Sequence, residues 1–81
     1  MNPLTAVLFR MRPSGFQIEA RHPDSMRWTE YYFTRLSDGA GCLEIVTDAV
    51  VASALSVEGL ARYVLWSVER RLEELDRAGR R

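Results

Sequence analysis

Few side chains in this 81-residue chain could carry chemistry. Cys42 is its only thiol and His22 its only imidazole. A closed zinc site takes four Cys or His ligands, so these two residues do not make one. No Ser-His-Asp set is apparent, and Cys42 and His22 have no context that suggests a nucleophile and its base. Cys42 follows a turn and could be a reactive thiol, but a lone cysteine at the start of a strand ordinarily serves as a small packing residue. Glu30, Glu44 and Asp48 could face one another across strands, although carboxylates on a sheet surface are usually only solvated. Residues 39–41, Gly-Ala-Gly, lack the following helix whose N-terminus would hold a phosphate, and they read as a turn. The residues therefore point to a non-enzymatic chain with no cofactor and no metal.

Contact chemistry is better represented. Residues 56–81 read as one long amphipathic helix, with Val57, Ala61, Val64, Val68, Leu72 and Leu75 recurring at steps of four and three and Leu60 and Leu65 beside them. Ser56 is a good N-cap, Glu58 suits the positive end of the dipole, and Gly79 is a terminator with Arg77, Arg80 and Arg81 near it. Glu58 with Arg62, Glu73 with Arg77 and Asp76 with Arg80 stand at i, i+4, each pair worth about 0.2–0.5 kcal/mol. Trp66 departs from the stripe: at about 100° per residue it points away from Val64, with Arg62 and Arg70 a turn to either side and Tyr63 close by. Trp66, Tyr63, Arg62 and Arg70 are the types that dominate interfaces. The bland alternative lays Trp66 over the arginine stems.

The elements that must position these residues follow from alternation. In residues 5–12, Val7, Phe9 and Met11 alternate with Leu8, Arg10 and Arg12, a half-buried strand. Residues 16–21 alternate as Phe16, Ile18 and Ala20 against Gln17, Glu19 and Arg21, and Pro13, Ser14 and Gly15 supply a turn. This makes a first hairpin, with Met11 opposite Ile18 and Arg10 opposite Glu19. Residues 22–25 break the pattern. Residues 27–36 are rich in strand formers, although a helix grouping Trp28, Tyr32 and Leu36 is the alternative. With residues 42–51 they form a second hairpin, and residues 52–55 cross from sheet to helix.

The expected architecture is thus a single α+β domain over residues 1–81. It comprises a four-stranded antiparallel sheet of two hairpins with one long C-terminal helix on one face, ββββα in order. Neither face of residues 27–36 is wholly polar: Trp28, Tyr32 and Leu36 lie on one and Tyr31 and Phe33 on the other. One face must leave aromatics in the open or under a partner, which makes Trp28 and Tyr31 contact candidates. The helix, about 33 Å long at 1.5 Å per residue, exceeds strands of about 25 Å, so Leu72 and Leu75 are expected in an overhang that a second chain covers.

The formal charge is zero, all eleven basic residues are arginine, and the two portions of the chain balance. That argues against a nucleic-acid footprint and against an acidic mimic of one. The lone cysteine and the lack of a signal peptide or long apolar run suggest a cytoplasmic protein without a membrane segment. The reading is a protein–protein interaction module, either a homodimer or a chain docking on a larger protein. Such composition is usual among phage or mobile-element accessory proteins, including steric inhibitors of host systems. The alternative is a small single-stranded nucleic-acid binder using sheet aromatics and arginines.

Overall fold

The computed structural model describes residues 2–79. Its elements run α1 (Pro3–Met11), β1 (Phe16–Arg21), β2 (Trp28–Arg35), β3 (Gly41–Thr47), α2 (Asp48–Ser53) and α3 (Val57–Ala78). The strands form an antiparallel sheet in the order β1-β2-β3. The architecture is α+β, but with three strands where the alternation suggested four.

The displaced strand is the N-terminal one. Residues 5–11 belong to α1, with Arg12 at its C-cap, because Asn2 caps a helix there: its Oδ1 accepts from the Thr5 N–H at 2.9 Å. Pro3, whose missing N–H costs nothing in a first turn, opens the helix. Leu4 and Leu8, one turn apart, are fully buried, and Val7 and Met11 pack beside them. The helix ends where Arg12 takes ψ 120°, as a residue before proline prefers.

The first hairpin is therefore β1 with β2. Ile18 lies opposite Phe33 and Glu19 opposite Tyr32, so neither Met11 nor Arg10 is their cross-strand neighbour. Arg10 bonds Glu58 of α3 at 3.1 Å instead. Gly15 enters β1 at φ 93°, a backbone that residues with a Cβ rarely adopt.

The second hairpin, β2 with β3, forms as the aromatic run indicates, with Tyr31 opposite Glu44 and Phe33 opposite Cys42. It closes through Gly39 at φ 76°. Strand β3 stops at Thr47, short of residue 51. The Thr47 hydroxyl caps α2 by accepting from the Val50 N–H at 3.2 Å, which ends the extended run four residues before the alternation does.

Helices α1 and α3 pack together on one face of the sheet. The buried core draws Leu4 and Leu8 from α1, Ile18, Tyr31, Phe33 and Val46 from the strands, and Ala61, Val64, Val68 and Leu72 from α3. Ser56 caps α3 through Gly59 N–H, and Gly79 closes it. The charge pairs on α3 are mostly long-range: Glu58 goes to Arg10 and Asp76 to Arg35, while Arg70 with Glu74 is an i, i+4 pair. Arg80 and Arg81 lie outside the described residues.

Leu72 corrects the overhang argument, because it is only 2% exposed. Arg35, at the end of β2, holds Asp76 through two bonds of 2.9 and 3.0 Å and so ties the last turns of α3 to the sheet. Only Leu75, 59% exposed, remains open. No helix among the described residues is long and apolar enough to cross a membrane.

Candidate functional site

Strand alternation sorts the sheet into two faces. Beneath the helices lie Phe16, Ile18, Thr29, Tyr31, Phe33, Arg35, Cys42, Glu44 and Val46. On the other face stand Gln17, Glu19 and Arg21 of β1, Trp28, Glu30, Tyr32 and Thr34 of β2, and Leu43 and Ile45 of β3. Helices α1 and α3 share the core with the first face, whereas Tyr32, Leu43 and Ile45 of the second are exposed.

The open face has an apolar side and a charged side. Tyr32, Leu43 and Ile45 are exposed, Ile45 by 53%, and Trp28 is half-buried. At their centre is Glu30, opposite Ile45 on β3 and Arg21 on β1. Its carboxylate accepts from Trp28 Nε1 at 3.4 Å and from Tyr32 OH at 3.2 Å. Two aromatic rings are thus held around one carboxylate, with aliphatic side chains alongside.

A second exposed set lies on α3. Trp66 is 51% exposed, its ring 5.9 Å from that of Tyr63, and the Arg70 guanidinium sits 5.3 Å from the Trp66 ring centre. The phase of the helix is as its spacing indicates: Trp66 faces outward while Val64 and Val68 are buried. Arg70 lies over Trp66, so part of the indole is occupied within the chain, as in the bland alternative. Arg62 is exposed on the same helix.

Between these sets runs a groove of about 510 Å³ lined by Cys42, Leu43, Arg71, Glu74 and Leu75. Arg71 reaches the edge of β3: its Nη1 donates to the Leu43 carbonyl at 2.9 Å and lies 3.4 Å from Glu44. Cys42 and Glu44 hold its pKa above the ordinary arginine value. Glu44 also accepts from the Ser67 hydroxyl at 3.0 Å.

A larger groove, about 580 Å³, is lined by Asn2, Thr5, Phe9, Ala20, His22, Thr29 and Asp48. Its polar floor is saturated. Tyr31 OH is 2.7 Å from Thr5 Oγ1, and Asn2 joins Thr5, Thr29 and Tyr31. On the rim, His22 Nε2 stands 3.9 Å from Asp48, both side chains about half exposed.

The structure does not bring His22, Cys42, Glu30, Glu44 and Asp48 together. His22 and Cys42 line different grooves. Glu30 and Glu44 point to opposite faces, and Asp48 begins α2. Among the described residues no three His, Cys, Asp or Glu side chains converge as a metal set.

Of the contact candidates, Trp66, Tyr63, Arg62, Arg70, Leu75 and Trp28 remain at least partly accessible, whereas Tyr31 and Leu72 are core. The open face adds Tyr32, Leu43, Ile45 and Glu30, which could have been found by taking the opposite parity on strands already identified. Searches of protein-family models, curated proteins and solved structures return no match to this chain.

Proposed function

We propose that this chain is a non-enzymatic protein-binding module whose contact surface is the open face of the sheet around Trp28, Tyr32, Leu43 and Ile45. The observation that carries this reading is the one-sided covering of the sheet. Two helices bury one face, and the other keeps an aromatic and aliphatic cluster in solvent. Contiguous apolar clusters of this kind mark contact sites more often than scattered exposed residues do.

Glu30 specifies the chemistry of the partner. A carboxylate between Trp28 and Tyr32 suits an arginine or lysine, which would gain an ion pair and aromatic faces together. The partner is thus a protein surface with apolar residues around a basic one. The same carboxylate disfavours the single-stranded nucleic-acid reading, because bases stacked on Trp28 and Tyr32 would bring phosphates towards Glu30.

The test is paired affinity capture from the native cell, using the wild-type chain and Tyr32→Ser/Ile45→Glu at equal loading. A protein retained by the wild type, lost by the double variant and weakened by Glu30→Gln supports the reading. Equal retention by all three overturns it.

A further inference from the structure

The sheet has two edges, and they are treated differently. On β3 the outward Leu43 carbonyl is taken by Arg71, and α3 packs along that strand. On β1 the outward groups are free. The Leu36 N–H donates to the Gly15 carbonyl, which sets the parity of the ladder: Gln17, Glu19 and Arg21 exchange bonds with β2, while Phe16, Ile18 and Ala20 turn their N–H and C=O groups away from it. Among the described residues nothing bonds these outward groups. An open edge of this kind is a template for another strand.

The residues beside that edge are self-complementary. Glu19 and Arg21 stand two apart on one strand and point to the open face, both exposed. Among the described residues neither makes an ion pair, although Arg21 lies across from Glu30.

We propose that β1 pairs antiparallel with β1 of a second copy, about a two-fold axis through Ala20, giving one continuous six-stranded sheet. In this register Ala20 meets Ala20 at a hydrogen-bonded position. Glu19 of each copy then lies directly opposite Arg21 of the other, at the closer non-hydrogen-bonded spacing. A two-fold interface requires such a self-complementary arrangement. His22, held extended before Pro23, continues the pairing against Ile18.

The groove lined by Phe9, Ala20 and His22 opens beside the axis. Phe9, 41% exposed, is therefore placed to add apolar burial to a backbone contact that would otherwise be narrow. This proposal does not rest on the open-face reading, and the Tyr32→Ser/Ile45→Glu variant should leave the pairing intact.

The experiment is light scattering coupled to size exclusion, run over a wide concentration range on purified protein. The wild type should show the mass of two chains and dissociate on dilution. Ala20→Pro removes one outward N–H while sparing the bonds to β2, so it should show one chain with an unchanged circular dichroism spectrum. Glu19→Arg alone, and Arg21→Glu alone, place like charges opposite one another and should each raise the dissociation constant on the order of tenfold. Mixing these two variants should restore the dimer, since every facing pair is then opposite in charge. This result reads the register even if Ala20→Pro does not fold. A wild-type mass of one chain at every concentration, or variants that dimerise unchanged, or a mixture that stays monomeric, would each overturn the proposal.

Discussion

Tyr31 and Tyr32 are adjacent on one strand and have opposite fates. Tyr31 is fully buried, with its hydroxyl bonded to Thr5, whereas Tyr32 is 38% exposed and spends its hydroxyl on Glu30. Val46 and Ile45 repeat the contrast on β3. On β2 and β3 the two faces draw on similar residue types and differ in what covers them, whereas β1 separates apolar from polar. Composition therefore does not separate core from contact surface here; parity on the strand and the position of the helices do.

Substitutions on the two faces should split accordingly, and the largest effect belongs to the covered one. Val64→Asp sets an unpaired charge in the contact between α3 and the sheet and should abolish folding, as read by circular dichroism. A cooperative native melt in that variant would mean the helices do not cover this face.

Next in size is the tyrosine pair. Tyr31→Ala should cost about 3–5 kcal/mol by cavity formation and loss of the Thr5 contact. Tyr32→Ala should cost about 1 kcal/mol or less, as surface substitutions do. Denaturant titrations of both variants give the difference, and similar losses would erase the distinction between the faces.

A smaller effect is expected at the end of α3, where Arg35 bonds both Asp38 and Asp76. Arg35→Ala should lower the melting temperature by a few degrees at neutral pH. The Arg35 guanidinium and the Ala40 N–H draw the Asp38 pKa down from 3.8 to about 2. A carboxyl depressed in the folded state contributes fully above its unfolded pKa and loses that contribution as pH falls through the folded one. The gap between wild type and Arg35→Ala should therefore hold down to about pH 4 and shrink towards pH 2. A gap independent of pH over that window would show that Asp38 is not paired.

The smallest effect is predicted for Trp66→Ala, within about 0.5 kcal/mol in stability, because the indole packs on Tyr63 and Arg70 at the surface. Loss of folding there would place Trp66 in the core.

Helix α3 could be read from sequence to its caps, because a long 3.6-residue period with Ser56 and Gly79 at its ends leaves little ambiguity. Strands β1 and β2 were readable from alternation and aromatic content. The N-terminal element was not, because residues 5–12 satisfy two periods at once. Val7, Phe9 and Met11 alternate, while Leu4, Val7, Leu8 and Met11 follow a helix, and the deciding signal was Asn2 before Pro3. Likewise Thr47 before Asp48 ends β3 as a helix cap although the alternation runs on.

The open face was foreseeable only in outline: aromatics on both sides of one strand meant that one side would stay uncovered. Which side depended on α1 and stayed open in the sequence, so Trp28 of one face and Tyr31 of the other both stood as contact candidates, and Tyr31 is the buried one. Ties such as Arg35 with Asp76 join residues far apart in sequence and have no local pattern to announce them.

Hydroxyl-radical footprinting of the chain, purified and again inside its native cell, tests the central claim most directly. In the purified protein Tyr31 should be protected while Trp28, Tyr32 and Ile45 are labelled. In the cell, Tyr31 should stay protected and labelling of the other three should fall together. Equal labelling of Tyr31 and Tyr32 in the purified chain, or open-face labelling that does not change in the cell, would contradict the account.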